Sequence, residues 1–102
     1  MVLEHLGRYS HIEALKSWYA ALEDGGILEI IVPDMEYLAQ VVLGCNAKDG
    51  IYMVFGDSDD CVEMLHKWGF TINTLEEVLI EVGFKIVAVT KRDSALYAKV
   101  TR

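Results

Sequence analysis

The side chains that could do chemistry here are histidines near carboxylates, two thiols and a short acidic run. His5 directly follows Glu4, and a histidine beside a carboxylate can act as a base or orient a nucleophile. Asp34 closes an apolar run, and His66 and Trp68 sit together in the least regular part of the sequence. Each has a plainer alternative: Asp34 is well placed to cap a helix, and Trp68 to fill a core. Cys61 and His66 are 5 residues apart, with Cys45, His5 and His11 elsewhere, but there is no C-x-x-C or H-x-x-x-H pair of the kind that holds zinc. Asp57, Asp59, Asp60 and Glu63 lack the glycine that a calcium loop needs at its turn. No metal is expected.

These groups are carried on 102 residues, enough for one domain (1–102) with one core and a large surface for its volume. Apolar residues make up 53% of the chain, so part of this material is expected to face a partner. The formal net charge of −7 argues against nucleic acid or an anionic membrane surface as that partner. No apolar stretch approaches the roughly 18–20 residues that cross a bilayer. Glu4, His5 and Arg8 interrupt any leader-like region, and two cysteines suit a reduced compartment, so the expected location is cytoplasmic.

The elements that must position the candidates follow from periodicity and punctuation. A helix over 11–23 is expected, with Ser10 and Glu13 as a capping box and Gly25-Gly26 as its stop. Ile27 to Val32 is nearly continuous in apolar, β-branched residues, as expected of a strand buried on both faces. Glu29 is the exception and points to an edge or cleft. Pro33 and Asp34 stop the strand, and a helix over 34–43 follows, ended by Gly44. Residues 45–70 read as an irregular insertion over a cleft, with Ile51 to Phe55 as an apolar stretch. Leu75, Val78, Leu79 and Val82 then fall at helical spacing within a helix over 73–82, capped by Thr71 or Asn73 and ended by Gly83. Strands over 84–90 and 95–101 flank the polar turn Lys91 to Ser94 and form an antiparallel hairpin. The fold class is α/β, with a three-stranded mixed sheet and flanking helices.

Several of these segments, in order, resemble class I S-adenosylmethionine-dependent methyltransferases of the ubiquinone- and menaquinone-pathway type. Val2-Leu3-Glu4-His5-Leu6 resembles the stretch after that family's fourth strand. Leu22-Glu23-Asp24-Gly25-Gly26-Ile27-Leu28 resembles its "L-x-P-G-G-x-L" turn into the fifth strand, with Glu23-Asp24 where Lys-Pro is usual. Ile31-Val32-Pro33-Asp34 resembles that strand's end. His66-Lys67-Trp68-Gly69-Phe70 and the run from Leu75 to Phe84 resemble the approach to the sixth strand. The resemblance implies the carboxyl-terminal half of a Rossmann-like domain. It places Glu4, His5, Asp34, His66 and Trp68 on the acceptor side of a cleft, with His5, Asp34 and His66 as catalytic candidates and Glu4 and Trp68 as substrate-binding ones.

The cofactor of that family sits against a glycine-rich turn after the first strand and an acid after the second. No G-x-G occurs in these 102 residues, and Gly25-Gly26 precedes a strand instead of following one. The isolated chain is therefore expected to bind no cofactor and to be inactive alone. Two roles follow as expectations. One is a self-associating module, a homodimer formed through the unpaired 27–32 edge or exposed helix faces. The other is the acceptor-side part of a methyltransferase, whether a subunit of a two-chain enzyme or a trimmed piece of an intact one.

Overall fold

The computed structural model describes residues 3–7, 9–44, 47–55 and 68–102. A single 3₁₀ turn, Leu3–His5, precedes α1 (Ser10–Ala21), β1 (Ile27–Pro33), α2 (Met35–Leu43) and α3 (Ala47–Phe55). Beyond these come α4 (Ile72–Val82), β2 (Lys85–Arg92) and β3 (Ala95–Thr101). The three strands lie in the order β1-β3-β2.

The helix starts and stops are mostly local chemistry. Asp34 caps α2, its Oδ1 accepting from the Glu36 N–H at 3.0 Å. Thr71 and Thr74 cap α4 reciprocally, each side-chain oxygen accepting from the other's backbone N–H. Gly83 ends α4 at φ 121, where a side chain would be strained. The capping box expected from Ser10 and Glu13 is not formed. Tyr9 is the N-cap, in helical conformation and without a side-chain cap bond, because the preceding turn already supplies carbonyl acceptors at Gly7 and Tyr9. The helix also ends earlier than the glycine pair, at Ala21, with Leu22 extended.

The expected mixed sheet is corrected: every pairing is antiparallel. The tight turn at Asp93-Ser94 lays β3 beside β2, and the other edge of β3 then receives β1. Both outer strands consequently run against β3 and nowhere touch each other. Register sets Leu28, Ile30 and Val32 of β1 opposite Val100, Ala98 and Leu96 of β3. Val89 and Ile86 complete the same rows from β2. This apolar face meets Leu15 of α1, Leu75, Val78 and Leu79 of α4, and Phe70 and Phe84 in one core.

A second correction concerns β1. Its apolar run is buried on one face only, with Ile30 and Val32 covered while Ile27 and Ile31 are 56% and 38% exposed. Both layers of helix that touch the sheet, α1 and α4, cover the same side. On the other side Glu29, Ile31, Tyr97, Lys99, Ala88 and Thr90 line an open saddle of about 370 Å³. Glu29 points onto this open face.

Part of the insertion read as irregular is a helix. Gly50 interrupts the helical signal of α3 but is required there, since a Cβ at this position would lie 2.7 Å from the Val42 backbone nitrogen. Residues 45, 46 and 56–67 lie outside the described residues. Among the described residues no helix is long and apolar enough to cross a membrane. Gly50→Ala is expected to lever α3 off α2 at a cost of about 1–3 kcal/mol. Hydrogen exchange should lose protection across Ala47–Phe55 while β3 stays unchanged.

Candidate functional site

Three pieces of chain converge where β1 ends. Pro33 is the last residue of the strand, and Asp34 turns the chain into α2. The segment Trp68–Phe70 crosses this end, with the Met35 N–H donating to the Phe70 carbonyl at 2.9 Å and a parallel bridge joining Asp34 to Phe70. The Trp68 N–H donates to the Glu4 carbonyl at 3.2 Å, which ties the 3₁₀ turn to the same place. Between them lies a pocket of about 220 Å³, lined by Glu4, Pro33, Met35, Val54, Phe55 and Trp68 among others.

Glu4 is the unusual member. It is 1% exposed, and neither carboxylate oxygen has a hydrogen-bond partner. Among the described residues the His5 ring pairs with it, its Nε2 lying 3.5 Å from Oε1. A carboxyl group buried among Met35, Leu38 and Phe55 gives up its hydration and receives little in exchange.

The other candidates divide. Asp34 is buried but does not line the pocket. One oxygen holds the start of α2, and the other lies 3.9 Å from Lys91 Nζ, which also reaches Glu36 at 3.2 Å. The cap that the plainer alternative expected of Asp34 is formed. Trp68 does line the pocket, and its ring stacks on His11 at 5.7 Å between centroids. His5 stands beside Glu4 at the turn. His66 lies outside the described residues, as do Cys45, Cys61 and the acidic run from Asp57 to Glu63. The structure thus brings Glu4, His5 and Trp68 together and assigns Asp34 elsewhere.

His11 joins the site without any sequence pattern to mark it. It is 3% exposed and packs edge-on against Phe70 at 5.2 Å. Its Nδ1 donates to the Gly7 carbonyl at 3.2 Å, an arrangement that puts the ring proton on Nδ1 because a carbonyl only accepts. The ring supports Trp68 from behind, so it positions the pocket wall. No sequence pattern marks such a role, since it depends on Trp68 arriving from far along the chain.

The glycine pair of the sequence stands away from this pocket. Gly25 and Gly26 form the turn from α1 into β1, closed by the Gly26 N–H donating to the Glu23 carbonyl at 2.8 Å. That turn lies at the opposite end of β1 from the pocket. Among the described residues no group of three or more His, Cys, Asp or Glu side chains is arranged to hold a metal ion. Comparison of the chain with protein-family models, curated proteins and solved structures finds no match.

Replacing Glu4 with an apolar side chain of similar volume removes a desolvated carboxyl group that has no hydrogen bond and one long contact to the His5 ring. Glu4→Leu is therefore expected to raise stability by about 1–3 kcal/mol, read as a higher denaturant midpoint at unchanged slope. A fall in midpoint would mean that the carboxyl group has a stabilising partner in the native chain.

Proposed function

We propose that this protein is an interaction module that completes its sheet by pairing β1 with β1 of a second copy. One observation carries the reading. β1 is hydrogen-bonded to β3 along one edge, its other edge has no strand among the described residues, and Ile27 and Ile31 stand exposed beside that edge. An apolar strand edge of this kind recruits another strand. A two-fold pairing with Ile30 opposite itself would set Glu29 against Ile31 of the second copy, so the two carboxylates avoid each other. It would also keep both helical layers on one side and merge the two open saddles into one longer face.

A second reading is favoured by a different observation. Glu4, His5 and Trp68 gather beyond the carboxyl end of β1. Together with the motifs quoted above, this supports the acceptor-side part of an S-adenosylmethionine-dependent methyltransferase whose cofactor is held by residues outside these 102. Calorimetry with S-adenosylmethionine separates the readings: only the second predicts binding when a chain carrying the cofactor half is added.

Under the favoured reading, sedimentation equilibrium at high micromolar concentration gives a dimer. Ile31→Lys places a charge beside the pairing edge and is expected to weaken association by at least about tenfold without unfolding the chain. A wild-type chain that sediments as a monomer at those concentrations contradicts the proposal.

A further inference from the structure

Charge is unevenly placed along this chain. Five of its nine Lys and Arg residues lie in 85–102, and of its sixteen Asp and Glu residues only Asp93 does. Lys91 is engaged with Asp34 and Glu36, and Arg102 with Asp24 and the Leu22 carbonyl. Arg92 and Lys99 instead line the open saddle, where the Arg92 guanidinium lies 5.2 Å from the centre of the Tyr97 ring. Lys85, opposite Thr101 in register, shares their face of the sheet. The saddle has an apolar floor of Ile31, Ala88 and Tyr97, and Glu29 is the one acid lining it among the described residues. The outward side of α4, across the sheet from this face, has the opposite character. Glu76, Glu77 and Glu81 surround Ile80, which is 62% exposed. Among the described residues none of these three acids has a cation within ion-pair distance.

We infer that the open face of the sheet docks α4 of a second copy, so that chains stack head to tail, sheet on helix. Charge chooses the occupant. The carboxylates of Glu76, Glu77 and Glu81 meet Lys85, Arg92 and Lys99, against a single like charge at Glu29. Polarity agrees, since Ile80 is an apolar knob among acids and the saddle an apolar hollow among cations. The same contact gives the sheet the second helical layer that it lacks, and β1, whose composition suits burial on both faces, is then covered on both. The two surfaces differ and each chain offers one of each, so the contact is heterologous and the assembly grows by addition. A helix laid across three strands covers less area than most stable interfaces, so the contact is weak and sensitive to concentration and salt. It uses neither strand edge and is independent of β1 pairing.

Two charge-reversed chains test this, Glu77→Lys with Glu81→Lys in one and Lys85→Glu with Lys99→Glu in the other. Each change should weaken stacking at least about tenfold and leave only the mass that β1 pairing sets. In sedimentation equilibrium at low ionic strength and high concentration, the wild-type chain should exceed that mass. Salt at about 0.5 M should remove the excess, because screening then acts within the reach of these side chains. Mixing the two variants should restore it, since the reversed α4 of one meets the reversed sheet of the other. In ¹H–¹⁵N spectra of the wild-type chain, raising the concentration should shift the amides of 76–81 together with those of Tyr97 and Lys99. The inference is overturned if the wild-type chain is no heavier than either variant, if high salt leaves the excess unchanged, or if the mixture associates no more than its components. If a variant does not fold, the wild-type spectra decide alone: shifts on one surface without the other, or on neither, overturn it. A failure of β1 pairing reads differently, as a lower mass for both variants with their mutual rescue intact.

Discussion

The sheet depends on β3 being hydrogen-bonded on both edges. β1 and β2 run in the same direction on either side of it and share no bond, so only the register of β3 aligns their side chains. Val100, Ala98 and Leu96 extend the rows begun by Leu28, Ile30 and Val32, and the resulting apolar face is what α1 and α4 cover. The core is accordingly one-sided. Burial of Leu15, Leu75 and Leu79 against this face supplies the main driving force for folding, and the opposite face of the same strands contributes little to it.

That asymmetry explains why β1 carries more than one unused surface. Its outer edge presents backbone donors and acceptors, its open face presents Ile27 and Ile31, and its carboxyl end opens on the Glu4 pocket. The first two are contiguous. The third is separated from them by the Trp68–Phe70 crossing. Arg102 braces the amino end of the strand, its backbone N–H donating to the Gly26 carbonyl at 3.1 Å and its guanidinium lying 5.0 Å from the centre of the Tyr19 ring. β1 is thereby pinned at both ends, while among the described residues no strand pairs with its outer edge.

What could be read in the sequence was whatever local chemistry decides. Asp34 and Thr71 as caps, Gly44 and Gly83 as stops, and the hairpin around Asp93-Ser94 all depend on neighbours within a few residues. The start of α1 misled because backbone carbonyls of the preceding turn did what Ser10 was expected to do. α3 was hidden by Gly50, which lowers helix propensity yet is demanded by the close approach of Val42. The strand β1 misled for a different reason. Its composition suits burial on both faces, and only the placement of α1 and α4 on one side leaves Ile27 and Ile31 uncovered. Of the site, Glu4, His5 and Trp68 were identifiable from the motifs, whereas the burial of Glu4 and the bracing by His11 arise only when α2, α3 and Trp68–Phe70 converge.

The proposed dimer makes the outer edge of β1 a pairing surface. Amide hydrogen exchange along β1, measured residue by residue at low and high protein concentration, tests it most directly. Amides directed at β3 should be protected at both concentrations, and the alternate, outward-directed amides only at the higher one. Rapid exchange of the outward amides at every concentration would contradict the account.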